Sequence, residues 1–158
     1  MKKLGVMVNN LAASQLAFYL INYANLVTSE SKCDVILFYD NPTVPCVNLN
    51  CASMQVEEAW GFDAPVVATN LSLANKLLKI GGPTKKYFYL WDLEWMRLKE
   101  KHFESLQHIY RNPLLKLLAR SKSHAQVIES CWNRQIDGIV DNCDINTILE
   151  ITDANKNK

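Results

Sequence analysis

Tyr87-Phe88-Tyr89-Leu90-Trp91 is an unbroken apolar run, stopped by Asp92 and followed by Leu93-Glu94-Trp95-Met96-Arg97. Aromatic and aliphatic residues in a row, with nothing polar between them, suit a strand buried on both faces. The same grammar recurs along the chain. Leu4 to Val8 runs into Asn9-Asn10, Val35 to Tyr39 into Asp40-Asn41, Pro65 to Ala68 into Thr69-Asn70, Leu115 to Ala119 into Arg120-Ser121, and Ile136 to Val140 into Asp141-Asn142. Most of these runs lead into a helix-like pattern, and strands alternating with helices build a parallel sheet through right-handed crossovers. The expected fold is a single α/β domain with a mostly parallel sheet of six or seven strands and helices on both faces. All the polar tips then fall on the carboxyl edge, where open parallel sheets bind ligands.

Between the strands, Ala13, Leu16, Ala17, Leu20, Ala24 and Val27 recur at helical spacing and predict a helix over residues 14–29, capped by Asn10 or Ser14. Leu71, Ala74, Leu77 and Leu78 predict a second, with Ser72 as N-cap and Gly81-Gly82-Pro83 as its stop. Asp92 is placed to cap a helix carrying Trp95, Leu98, His102, Leu106 and Ile109 on its inner face, ended by Asn112-Pro113. Ser121 or Ser123 opens another, with Val127, Ile128 and Cys131 inward and Trp132 near its end. Asp141-Asn142-Cys143-Asp144 leads into a last helix through Ile145, Ile148 and Leu149. Thr43 to Met54 has no clear period; Cys46 to Leu49 reads as a candidate extra strand, and Gln55 to Trp60 as one or two helical turns closed by Gly61. The domain spans residues 1–152, and the tail from Asp153 to Lys158 is expected to be disordered.

Composition narrows the class. At 158 residues, with 49% hydrophobic and 21% charged side chains, the chain fits one globular domain. The start, Met1 to Val8, is basic, but its apolar stretch is too short for a signal-peptide core or a spanning helix, so no membrane association is expected. Five cysteines form an odd set without a C-x-x-C pair, against both a disulfide framework and a zinc site, which points to a reducing, cytoplasmic compartment. Cys46 and Cys51 can in principle share a metal, but the other half of such a site is missing, and His102, His108 and His124 have no ligand spacing. Neither a metal nor a cofactor is expected.

The net charge of +1 conceals a division: residues 79–122 carry ten Lys/Arg against four Asp/Glu, whereas residues 1–78 carry four against six and residues 123–158 three against six. A basic band beside the carboxyl edge suits a nucleotide phosphate or, more weakly, a nucleic acid. Solvated helix faces account for the same excess, since Lys99, Glu100, Lys101 and Glu104 read as mixed-charge surface.

The familiar phosphate cradles are absent. Asn9-Asn10-Leu11-Ala12-Ala13 stands where a G-x-G-x-x-G turn would follow the first strand, and no G-x-x-x-x-G-K-[ST] or G-x-S-x-G occurs. The densest candidate cluster is Trp91, Asp92, Glu94, Trp95 and Arg97. Its tryptophans can stack on a sugar or base and its carboxylates accept hydroxyl protons, or the segment is a capped helix start with two packing aromatics. Asn9, Asn10, Asn70 with Ser72, Arg120, Ser121 with Ser123 and His124, and Asp141 with Asn142 are the further ligand-binding candidates; helix capping alone accounts for the Asn70 and Ser121 groups, and a turn for Asp141 with Asn142.

In order, Val67-Ala68-Thr69-Asn70-Leu71-Ser72, then Lys86-Tyr87-Phe88-Tyr89-Leu90-Trp91-Asp92-Leu93-Glu94-Trp95, then Leu118-Ala119-Arg120-Ser121-Lys122-Ser123-His124, then Gly138-Ile139-Val140-Asp141-Asn142 resembles the N-terminal, Rossmann-like half of GT-B glycosyltransferases. It is most similar to the short glycosyltransferase-like proteins of tailed bacteriophages. The resemblance implies a carbohydrate or sugar-nucleotide cleft at the carboxyl edge. It also implies Asp92 or Glu94 as the base for an acceptor hydroxyl, and Arg97 or Arg120 opposite donor phosphate. A GT-B enzyme binds its donor mainly in a second domain, and none is expected within these 158 residues. A non-catalytic binding or assembly module is therefore the alternative, and a homo-oligomer or a partner supplying the second domain is the implied association. For a viral chain the compartment is the host cytoplasm.

Overall fold

The computed structural model describes residues 2–99 and 102–154. Its strands are β1 (Lys2–Val8), β2 (Cys33–Tyr39), β3 (Ala52–Gln55), β4 (Val66–Ala68), β5 (Lys86–Leu90), β6 (Leu115–Ala119) and β7 (Gly138–Ile139). Between them run α1 (Gln15–Ser29), α2 (Leu71–Lys79), α3 (Phe103–Tyr110), α4 (Lys122–Trp132) and, at the end, α5 (Ile145–Ala154). The seven strands form one sheet in the order β3-β2-β1-β4-β5-β6-β7, with every neighbouring pair parallel.

Strand addition proceeds from β1 outward to β3 and then restarts with β4 on the other side of β1. With right-handed crossovers, that reversal moves the helices to the opposite face. The core divides accordingly. Leu20, Ile21 and Ala24 of α1 and Ile148 of α5 pack on Val6, Val67 and Tyr89. On the other face Leu73 and Leu77 of α2, Ile109 of α3, and Ile128 and Trp132 of α4 pack on Met7, Phe38, Phe88 and Leu117. The result is a doubly wound, Rossmann-like α/β domain.

Two features show how tightly the second face is built. Trp132, fully buried, is stacked between Phe103 at 4.3 Å and Tyr110 at 4.2 Å, and Trp95 meets both Tyr110 and Trp132 edge-on. Each such pair adds roughly 0.5–1.5 kcal/mol beyond area burial. At the centre of β1, a Cβ on Gly5 would lie 2.9 Å from the Phe38 ring and 3.0 Å from that of Phe62, so only glycine admits this edge-to-face pair.

Several local expectations need correction. The third strand is Ala52–Gln55, not Cys46 to Leu49; the earlier segment is a loop pinned to α1, where Asn25 donates to Asn48 O and accepts from Asn50 N, each at 2.7 Å. Asn70, not Ser72, caps α2, accepting from Leu73 N at 2.8 Å. No single helix runs from Asp92 to Ile109: a 3₁₀ turn, Glu94–Arg97, has no side-chain cap, α3 begins at Phe103, and His102 is exposed. In α4, Ala125 faces inward with Ile128, while Val127 is exposed. Asp153 and Ala154, expected in the tail, still belong to α5, and residues 155–158 lie outside the described residues.

Candidate functional site

The loops after β1 and β4 diverge where strand addition reverses, and there a parallel sheet opens a cleft. In this protein it has a volume of about 290 Å³. Its lining is Asn9 and Asn10 from the β1 tip, Ser14 from the start of α1, Thr69 and Asn70 from the β4 tip, and Trp91, Asp92, Glu94 and Arg97 from beyond β5. A second cleft, of about 400 Å³, is formed by Arg120, Ser121, Ser123, His124 and Val127 after β6 and by Asp141 after β7. The partition between them is a stack: the Arg120 guanidinium carbon sits 3.8 Å from the centroid of the Trp91 ring, and Arg120 Nη1 donates to Trp91 O at 3.3 Å.

In the first cleft most side chains also hold the loops. Asn9 Oδ1 accepts from Asn41 Nδ2 at 2.9 Å and Asn10 Oδ1 from Ala12 N at 3.1 Å, which shapes the turn after β1. Thr69, buried, donates to Met7 O at 2.8 Å and ties the β4 tip to β1. The two candidate base carboxylates differ. Glu94 Oε1 accepts from Leu71 N at 2.7 Å, and burial raises its carboxyl above the ordinary carboxylate range, against the lowering effect of that bond. Asp92 is exposed, with Arg97 Nη2 at 3.6 Å from its Oδ2. Of the two, Asp92 is the carboxylate open to a ligand.

The second cleft is built on the start of α4. Ser121 caps the helix by accepting from His124 N at 3.2 Å, and its hydroxyl lies 3.1 Å from that of Ser123. Arg120 N donates to His124 Nδ1 at 3.4 Å, so the neutral imidazole carries its proton on Nε2. Burial, then the Arg120 charge, hold His124 below the ordinary imidazole value, and Asp92 opposes them. Asp141 heads a 3₁₀ turn in which Asn142 and Cys143 take left-handed φ values of 44° and 60°. That turn is held from below by buried Tyr89, whose hydroxyl donates to Val140 O at 2.9 Å and accepts from Cys143 N at 3.1 Å.

Twelve of the fifteen residues singled out from sequence line these two clefts, divided between them. Three do not. Trp95 is 6% exposed and belongs to the aromatic core, so it cannot stack on a ligand. Ser72 is exposed in the first turn of α2, outside both clefts, and Asn142 supports the turn behind Asp141. Ser14 and Thr69 line the first cleft and were not among the sequence candidates. Thr69 had a readable signal as the first polar residue after β4. Tyr89 had none, because its role depends on a contact with a turn 54 residues away.

A larger groove of about 560 Å³ lies at the opposite, amino edge, between Lys2, Pro65, Lys85 and Thr152. Lys2 pairs with Asp153, and Lys85 Nζ donates to Thr152 O at 3.4 Å across its rim. None of the polar strand tips enters it.

Among the described residues, no group of three or more His, Cys, Asp or Glu side chains is arranged to hold a metal ion, and no helix is long and apolar enough to cross a membrane. No family model, curated protein or solved structure matches the chain. The class is set by the sheet itself, a single Rossmann-like α/β domain with its polar strand tips gathered at one edge.

Proposed function

We propose that this protein is a glycosyltransferase-like domain that binds a carbohydrate or sugar nucleotide at the carboxyl edge of its sheet. The observation that carries the reading is the lining of the cleft at the strand reversal. Asn, Ser, Thr and Asp side chains surround one half-buried tryptophan, the combination that hydrogen-bonds ring hydroxyls while covering an apolar ring face. The strand order is that of a Rossmann-like domain, the fold that the resemblance to the N-terminal half of GT-B enzymes and to short phage proteins implies. If transfer occurs, Asp92 is the candidate base for the acceptor hydroxyl. The bond from Leu71 N to Glu94 favours a second reading, a binding or assembly module without its own chemistry, because it commits one of the two carboxylates to structure.

Thermal unfolding against a panel of nucleoside diphosphate sugars and free sugars tests the reading. A ligand selective for the native state raises the midpoint with concentration. At least one panel member should do so. A flat response to all of them would leave the assembly-module reading in its place, with a partner or second copy supplying any donor domain, in the cytoplasm or in that of a viral host.

A further inference from the structure

The two edges of the sheet are built differently. β7, at one end, has two residues, Gly138 and Ile139, too short to template another strand. β3, at the other, has four, Ala52-Ser53-Met54-Gln55, all exposed, and among the described strands only β2 pairs with it. An edge strand is ordinarily guarded by a charge, a proline or a bulge that stops a further strand from adding. β3 carries none of these: its register with β2 is unbroken, and no charged side chain occurs from Asn41 to Val56, in a chain where 21% of residues are charged. Register also fixes where its side chains stand. Ala52 and Met54 are level with Ile36 and Phe38, on the face covered by α2, whereas Ser53 and Gln55 are level with Leu37 and Tyr39, on the face covered by α1. Met54 is 42% exposed, and Trp60, in the 3₁₀ turn Val56–Gly61 that follows, is 61% exposed beside Ile80 at the end of α2. Two large apolar side chains are thus left in water on the same side as an unpaired backbone edge.

We propose that β3 is a dimer interface, pairing antiparallel with β3 of a second copy of this chain across a two-fold axis to make one continuous sheet. Symmetry and charge favour a second copy as the occupant. Under a two-fold axis one edge is complementary to itself, so association closes at two copies. Side chains that meet across the pair must stand on the same face, which centres it on Ser53 opposite Ser53 of the partner subunit and sets Ala52 opposite Met54 of the partner subunit. A centre at Met54 would instead set Ala52 against Val56 of the partner subunit, a residue already buried in its own turn. In the Ser53 register a small residue faces a large one on the α2 face, two hydroxyls face each other on the α1 face, and no like charges meet. A charged partner would find no counter-charge on this strand. A four-residue pairing with a thin apolar flank falls at the small end of interface sizes, so the dimer forms as concentration rises. This holds whatever the carboxyl edge binds.

Sedimentation velocity on the full chain, in low salt and from about 10 μM to about 1 mM, tests the interface. The samples are the wild type, Ser53→Lys, Ser53→Glu, an equimolar mixture of those two, and Gln126→Lys, which adds a charge on the exposed side of α4. The wild type should pass from 18.0 kDa to twice that mass. Ser53→Lys and Ser53→Glu each set like charges directly opposite and should weaken dimerisation about threefold or more, while their mixture, which sets opposite charges face to face, should recover it. Gln126→Lys should dimerise like the wild type. Amide hydrogen exchange gives a second reading that needs no variant: residues 52–55 of the wild type should exchange more slowly in the concentrated chain than in the dilute one. A wild type that stays at 18.0 kDa throughout, or that grows beyond two copies, overturns the proposal. So does a dimer that both Ser53 variants form as tightly as the wild type, a mixture no tighter than its components, or a dimer in which exchange at residues 52–55 is unchanged.

Discussion

Glu94 Oε1 accepts the backbone N–H of Leu71 at 2.7 Å, joining the turn beyond β5 to the first residue of α2, 23 positions earlier in the chain. Together with Asn70, which receives Leu73 N, it satisfies two of the donors that every helix start leaves unpaired. Glu94→Ala should therefore cost about 1 kcal/mol in urea unfolding, and Glu94→Gln, which keeps an amide oxygen, distinctly less. An alanine variant as stable as the parent would show that the cap carries no weight and would return Glu94 to the pool of free carboxylates.

Removing the Tyr89 hydroxyl should be expensive. Tyr89→Phe leaves Val140 O and Cys143 N without their buried partner, beneath a turn that already holds two non-glycine residues at positive φ. The expected loss is about 1–3 kcal/mol, together with weaker binding of any ligand that touches Asp141. Unchanged stability in chemical denaturation would mean that the turn holds itself.

The two glycines after α2 differ in a way their adjacency hides. A Cβ on Gly82 would meet Trp60 O at 2.3 Å and Phe62 O at 3.0 Å, both backbone atoms, whereas Gly81 has open space and neither glycine has a positive φ. Gly82→Ala should destabilise by about 1–3 kcal/mol. Gly81→Ala should be neutral or stabilise by up to about 1 kcal/mol. Equal effects in paired melting curves would contradict this packing.

His124 gives a pH signature. With its folded pKa lowered by burial and Arg120, and Asp92 opposing, the unfolded chain binds the proton more readily than the folded one. Stability from this group is complete above the ordinary imidazole value and drains as pH falls through the lower, folded value. The wild-type midpoint should therefore fall more steeply below pH about 6.5 than that of His124→Gln. Superimposable profiles would place His124 in plain solvent.

The strands were legible because burial on both faces leaves continuous apolar runs, as at Leu4 to Val8 and Tyr87 to Leu90. β3 was not, because Ala52-Ser53-Met54-Gln55 is an exposed edge strand without an apolar signal, while the more apolar Cys46 to Leu49 packs as a loop against α1. The period from Trp95 to Ile109 suggested one helix, yet Trp95 reaches the core from a short 3₁₀ turn, and α3 starts only at Phe103. The site was legible as a row of strand tips, since parallel strands place their ends together. Its division into two clefts was not, because it depends on Arg120 lying over Trp91 from a strand 29 residues away.

The central claim is that the carboxyl edge is the ligand site, and amide chemical-shift mapping with a nucleoside diphosphate hexose tests it most directly. The account predicts shifts concentrated at Asn9, Asn10, Asn70, Trp91, Asp92, Arg120, His124 and Asp141. Shifts confined to the amino-edge groove around Lys2, Lys85 and Thr152, or no shift with any sugar nucleotide or sugar phosphate, would contradict it.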